Sequence, residues 1–420
     1  MSGATTKCRP LRNVLLIVGS VLAALLVGEG VLAVLEHKQM RLDHRGFYTY
    51  DPLLGWKMKP NTRRINVTEE FRAIEETNSK GIRGGEYSYE KGPNEYRILI
   101  LGDSFAEGYT VDFENLFSEV LKSTLNSGSH GTYYEVINAG TVGYGTDQEL
   151  LFYQSEGYKY DPDLVIVMFY ENDVIDNVTR RENYGKFKPL FRIRDNRPVL
   201  EERPVPEESR SRVPESSADH PGLSHWLKKR SRVYSILDEG LTMLGLTAPE
   251  ASATPSTSLE FGPLSRERGP EIEQAWKLTE LLLVDLKRRV EASCADLLVF
   301  YVPSIHSVDP DSWNATRKQY GMTGDQWNPS QVESDLLRIC RRHSVPCVAT
   351  IALFKERAKT RGESARCFYH LRDGHWNVEG HRFAGEILAH SVSSGAHKPR
   401  VTVGSSSSSS NVTDCTDRAQ

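Results

Sequence analysis

Charge of one sign, a phosphate-cradling glycine loop and clustered metal ligands are all lacking from this sequence. Its 52 Lys and Arg residues balance 56 Asp and Glu for a net charge of −4, so no basic face marks it for nucleic acid. No Gly-rich phosphate loop occurs. The 12 histidines are scattered, and none joins the 6 cysteines at metal-ligand spacing. The chemistry is therefore expected from ordinary side chains, with no metal and no cofactor. Cys8, Cys294, Cys340, Cys347, Cys367 and Cys415 have no catalytic context. Cys340 and Cys347, at a helix end and the start of the following strand, are the best placed to bridge, although connectivity does not follow from sequence.

Long apolar runs are also scarce. The exception is Val14 to Leu35, interrupted by Ser20 and Glu29, whose 22 residues match a hydrocarbon core about 30 Å thick. It reads as a single transmembrane anchor, with a cleaved signal peptide ending near Ala33 as the alternative. Lys7, Arg9 and Arg12 precede it and Lys38, Arg41 and Arg45 follow, so the positive-inside rule discriminates weakly.

What is present is concentrated at the ends of apolar runs. Ile98-Leu99-Ile100-Leu101 reads as a buried parallel strand, and Gly102-Asp103-Ser104-Phe105 follows it at once. Apolar residues at Leu116, Phe117, Val120, Leu121 and Leu125 then recur as on one helix face. Ligands of open α/β sheets bind at the carboxyl ends of strands, so Ser104 is expected to face a crevice. Asn138-Ala139-Gly140 follows the strand-like Tyr134 to Ile137, and Glu171-Asn172-Asp173 follows Leu164 to Phe169. Asp373-Gly374-His375-Trp376-Asn377 precedes a helix-like run from Val378 to His390. A serine nucleophile needs a base, an orienting carboxylate and oxyanion donors, and these strand ends offer all three.

This ordered set resembles the SGNH (GDSL-like) hydrolase superfamily from about Asp51 to His390. The resemblance implies Ser104 as nucleophile, His375 as base and Asp373 as its partner. It also implies an oxyanion hole of the Ser104 and Gly140 N–H groups and the Asn172 side-chain amide. Asp51-Pro52-Leu53-Leu54-Gly55-Trp56 and Asn78-Ser79-Lys80-Gly81-Ile82-Arg83-Gly84 look like the entry region of membrane-anchored bacterial members. Two departures stand out. Asp373 lies two residues before His375, where many members have three, a spacing that resembles relatives acetylating exopolysaccharides; Asp325 and Asp311 are alternative acids. Tyr170-Glu171 stands where glycine often precedes Asn-Asp, which would narrow the acyl side of the pocket.

The expected fold is a three-layer α/β/α sandwich around a flavodoxin-like parallel sheet of about five strands, with an amino-terminal transmembrane helix. Helices are expected at 271–291 and 331–342, strands at 296–302 and 345–351, and a capping box at Thr146 to Glu149. The resemblance implies that residues 1–13 are cytoplasmic; 14–35 would be the anchor, 36–95 a juxtamembrane and entry region, 96–392 the catalytic domain and 393–420 a disordered tail. Within the domain, 178–268 reads as a partly disordered insertion with a helix near Leu223 to Leu246. That helix fits a packed insertion, a lid or a membrane-surface element.

The leading functional expectation is a serine esterase acting on an acylated small molecule, carbohydrate or cell-envelope ester outside the cytoplasm, periplasmic if the source is bacterial. The alternatives are an O-acyltransferase that delivers the same acyl group to an exopolysaccharide, and a non-catalytic glycan-binding scaffold. The membrane through Val14–Leu35 is the one macroscopic partner expected. Nucleic acid is not, and protein partners are left open.

Overall fold

The computed structural model describes residues 13, 16, 19–20, 27–29, 44–129, 131–180, 186–207 and 259–394. The chain divides into two compact units. Of Met1–Asp43 with Arg210–Pro255, only Asn13, Leu16, Gly19, Ser20 and Val27 to Glu29 are described, all helical. Most of the Val14–Leu35 span, the 223–246 helix and the 395–420 tail thus lie outside the described residues. Among the described residues, no helix is long and apolar enough to cross a membrane.

The other unit, His44–Ser209 with Ser256–Gln420, carries the site. It opens with two antiparallel hairpins, β1 (Tyr48–Asp51) with β2 (Gly55–Met58) and β3 (Arg63–Val67) with β4 (Arg72–Glu76). The parallel sheet is built from β5 (Glu95–Gly102), β6 (Tyr133–Asn138) and β7 (Leu164–Phe169), then β10 (Asp296–Tyr301) and β11 (Cys347–Val348). Between β7 and β10 lies a third hairpin, β8 (Phe191–Arg194) with β9 (Arg197–Leu200). The sheet order is β11-β10-β7-β5-β6, so the first of its strands is flanked by the second and third. That order places the topological switch between β5 and β7, where a crevice opens at the carboxyl edge.

Apolar content explains the layers. β7 is buried along its whole length and β5 everywhere but Glu95, as parallel strands covered on both faces must be. Helix Phe117–Ser127 packs with Val378–Ser394, while Thr146–Ser155 packs with Pro270–Ala292, consistent with right-handed crossovers of opposite direction on the two sides of the switch. Gln331–Arg342 joins the second pair: Arg342 and His343 both reach Glu280 at 2.7 Å.

Three local expectations are corrected. β11 has two residues rather than seven, because the Glu333 carboxylate accepts the N–H groups of Thr350 (2.7 Å) and Ile351 (3.0 Å) and starts helix Ile351–Thr360 early. Helix Thr146–Ser155 uses Gly145 as its N-cap, and the Thr146 hydroxyl makes no hydrogen bond, so the capping box is absent. Cys340 and Cys347 are free thiols, not bonded to each other, whereas Cys294 is disulfide-bonded. Part of the expected 178–268 insertion is ordered: β8 and β9 turn through Asp195 and Asn196 at φ +49° and +56°, and both contact the 270–292 helix.

Candidate active site

Gly102 ends β5, and Asp103 caps the one-turn helix Ser104–Glu107 by accepting the Phe105 N–H at 2.9 Å. Gly108 closes that turn in the left-handed region (φ +66°), its N–H on the Ser104 carbonyl at 2.9 Å. Asp373 to Asn377 enter the last helix. Asn377 caps it, its Oδ1 accepting the N–H groups of Glu379 (3.0 Å) and Gly380 (3.1 Å), and Trp376 is buried against Phe105, Phe117 and Phe354. These two anchors hold His375 from one side.

From the other side a tight loop returns: the His370 N–H meets the His375 carbonyl at 2.9 Å and the Gly374 N–H meets the His370 carbonyl at 2.7 Å. Gly374 sits at φ +86°, a conformation glycine adopts without strain. That turn brings Asp373 and His375 to one side, so the two-residue spacing is productive.

The Ser104 hydroxyl lies 2.7 Å from His375 Nε2, and His375 Nδ1 lies 2.8 Å from Asp373 Oδ1. Asp311 and Asp325, the alternative acids, are exposed and make no contact with His375. Burial works to raise the Asp373 carboxyl, but hydrogen bonds from His375 and Tyr109 outweigh it and hold the group below the usual carboxylate value. Both Asp373 and His375 side chains are 22% exposed, so the pair borders solvent.

The donors around the hydroxyl differ from expectation at one position. Gly140 is buried, its N–H already donates to Asn138 Oδ1 at 3.0 Å, and it packs against the serine helix. The expectation for Gly140 as an oxyanion donor is therefore corrected. Three residues on, Thr141 to Tyr144 form a turn closed by the Tyr144 N–H on the Thr141 carbonyl (3.1 Å), with Gly143 at φ +74°. The half-buried Gly143 N–H has no hydrogen-bond partner among the described residues. Sequence carried a signal for it, since glycine is favoured at the third position of a type II turn. The turn is tied to the nucleophile's surroundings, because the Thr141 N–H donates to the Gly102 carbonyl (2.9 Å) and the Val142 N–H to Glu107 Oε2 (2.8 Å). The Ser104 N–H is likewise uncommitted at the start of its helix.

Asn172 follows β7 across the switch, and its side chain lies near enough to the Asp103 carboxyl to draw that group down. Its amide nitrogen carries two hydrogens that can serve a ligand. Burial pushes Asp103 up to about 6 against the pull of the Phe105 N–H, His375 and Asn172. Beneath it, burial raises Glu149 and Asp173 well above the usual carboxyl range. Tyr170 packs its ring on Phe105 at 4.6 Å, while Glu171 turns aside to Ser304 (3.0 Å) and His306 (2.9 Å). Sequence reasoning also missed Glu107, buried in the serine helix, which accepts from Tyr48 (2.6 Å), Arg64 (2.8 Å) and Val142 (2.8 Å).

Chemically, the hydroxyl can pass its proton to Nε2, the carboxylate can steady the resulting imidazolium, and the Ser104 and Gly143 N–H groups are uncommitted donors. A family model described as GDSL-like Lipase/Acylhydrolase matches residues 98–388. Similar solved structures include a lipase/acylhydrolase from Enterococcus faecalis, 11% identical over 71% of this chain and 96% of that one, at a TM-score of 0.37. A catalytic mutant of an acetylxylan esterase from Geobacillus stearothermophilus is 12% identical over 69% and 91%, at 0.36. TesA is 11% identical over 71% and 96%, at 0.35. Among curated proteins the search finds no match.

Proposed function

The chain belongs to the GDSL-like lipase/acylhydrolase family and is a carboxylic ester hydrolase, and from that premise we propose that it works through an acyl-serine intermediate on Ser104. The observation that carries this reading is the 2.7 Å approach of the Ser104 hydroxyl to His375 Nε2, between residues 271 positions apart in sequence. His375 takes the hydroxyl proton as Ser104 attacks the ester carbonyl, then returns one to the leaving alcohol. Asp373 holds the imidazole with Nδ1 protonated. The oxyanion is received by the Ser104 N–H, the Gly143 N–H and the Asn172 amide. The uncommitted donors favour this reading over a glycan-binding scaffold, which has no use for them.

The substrate is proposed to be an ester of a carbohydrate or cell-envelope component, with Val14–Leu35 anchoring the catalytic unit on the outer side of a membrane. The anchor rests on the apolar length of that run. The acyl-enzyme can discharge to water or to a glycan hydroxyl, and the Asp373-x-His375 spacing keeps the transferase reading in play. The test is turnover of an acetyl ester by the purified chain, with and without an oligosaccharide acceptor. Hydrolysis at full rate without acceptor supports the esterase, and strong acceleration by acceptor supports the transferase. Turnover undiminished in Ser104→Ala removes the proposal in both forms.

A further inference from the structure

Asp373 has two carboxylate oxygens, and His375 Nδ1 meets only Oδ1. The other oxygen is held from across the crevice. The Tyr109 hydroxyl lies 2.9 Å from Oδ2, 3.1 Å from Oδ1 and 3.1 Å from His375 Nδ1. A phenol has one hydrogen to give, and since Nδ1–H points to the carboxylate, the phenol hydrogen goes there too. Among the described residues no other group hydrogen-bonds Oδ2.

Tyr109 directly follows Gly108, so it leaves the turn that carries the nucleophile and reaches the acid of the base pair. Its ring is fixed on two sides, with its centroid 5.0 Å from His375 and 6.1 Å from Phe71 on β4's approach, and its carbonyl accepts the Asn66 amide at 3.0 Å. The main chain of the acid is pinned separately: the Glu70 carboxylate accepts the N–H groups of Arg372 (3.0 Å) and Asp373 (2.9 Å). Glu70 thus fixes where the loop lies, and Tyr109 fixes which way its carboxylate faces.

We propose that Tyr109 is a positioning residue for the Asp373–His375 pair, its hydroxyl locking the second oxygen of an acid that stands on a short, partly exposed loop. This rests on the reading of Ser104, His375 and Asp373 as the reacting set. Two effects of the hydroxyl follow. It stops the carboxylate from rotating toward solvent, which keeps the imidazole aligned with Ser104. It also shares the carboxylate's charge, which tempers the hold of Asp373 on the His375 proton. Removing it lowers turnover and strengthens that hold.

The experiment uses the full chain in detergent. Fluorophosphonate labelling of Ser104 in the wild type establishes the reacting set first, and its failure would overturn the functional reading and this inference with it. Where the wild type labels, kcat and KM for p-nitrophenyl acetate are measured from pH 5 to 9 in Tyr109→Phe. The expected result is kcat lower by about tenfold, KM unchanged, and the acid limb of kcat/KM moved up by about half a pH unit. Glu70, His370 and Asp103, the other titratable groups around the pair, are untouched by the substitution. Phe71→Leu, which loosens the Tyr109 ring and the His370 ring packed beside it, is expected to give a smaller change in the same direction and serves if the first variant fails to fold. A wild-type profile overturns the proposal, and so does a loss that is uniform across pH, since that marks a purely structural role.

Discussion

Gly140→Ala separates the packing role of Gly140 from the donor role that the sequence suggested. A Cβ at this position would lie 2.4 Å from Ala106 Cβ, 2.5 Å from the Glu107 nitrogen and 2.6 Å from the Ala106 carbonyl carbon. Ordinary contacts between such atoms are about 3.5 to 4.0 Å, so the serine helix or the 139–145 loop must move by about 1 Å. Two of the three neighbours are backbone, which no rotamer change can relieve. Overpacking of this kind costs about 1–3 kcal/mol, or roughly 2–9 °C in Tm at about 2–3 °C per kcal/mol. Because the displaced helix carries Ser104, kcat/KM should fall by about a hundredfold, the usual consequence of a misplacement near 1 Å. Thermal melting and ester turnover of the same preparation measure both. Adding Ala106→Gly should recover little, since the backbone contacts remain. An alanine retains its N–H, so a Gly140→Ala protein with wild-type Tm and wild-type turnover would refute the packing argument.

Asn172→Ala is expected to lower kcat by two to three orders of magnitude, about 3–4 kcal/mol of transition-state stabilisation, with Tm nearly unchanged; kcat within threefold of wild type would remove Asn172 from the donor set. Asp103→Asn tests the buried carboxyl. A carboxyl raised from its unfolded value of 3.8 to about 6 contributes stability below pH 4 that is lost as pH rises toward 6. The wild type should therefore lose about 3 kcal/mol relative to Asp103→Asn across that window and nothing further above it, as read by urea unfolding at stepped pH. A difference independent of pH would contradict the assigned titration.

The strands and helices around the crevice were legible because their burial is two-sided or one-faced in the ordinary way. Leu164 to Phe169 is uniformly apolar and uniformly buried, and Gln331–Arg342 was read to its residue. The β3–β4 hairpin was not legible because its polarity is inverted. Arg64 and Asn66 of β3 and Glu75 of β4 point inward into a charged network with Glu107, while Ile65 (37% exposed) and Val67 (48%) face out. An alternation rule applied to Arg63–Val67 therefore assigns the faces backwards. The buried ions also have distant partners, such as Arg83 with the carbonyls of Glu107, Gly108 and Val111, 24 to 28 residues on, which no local window reveals.

The site divides in the same manner. Ser104, Asp373 and His375, which the structure brings together, were legible as polar residues at strand and helix ends, where a packed core has no use for them. Gly140 and Gly143 are alike in composition and differ in what their N–H groups already bond, which depends on the Asn138 rotamer and on a φ of +74°. Tyr109 reads in sequence as one more aromatic after a glycine. Its role emerges only when the loop at 373 folds back over it.

The most direct measurement is mass-spectrometric mapping of a fluorophosphonate adduct on the full chain, in wild type and in His375→Ala. The account predicts a single adduct on Ser104 in the wild type and its near loss when the imidazole is removed. An unlabelled wild-type Ser104, or equal labelling without His375, would contradict it.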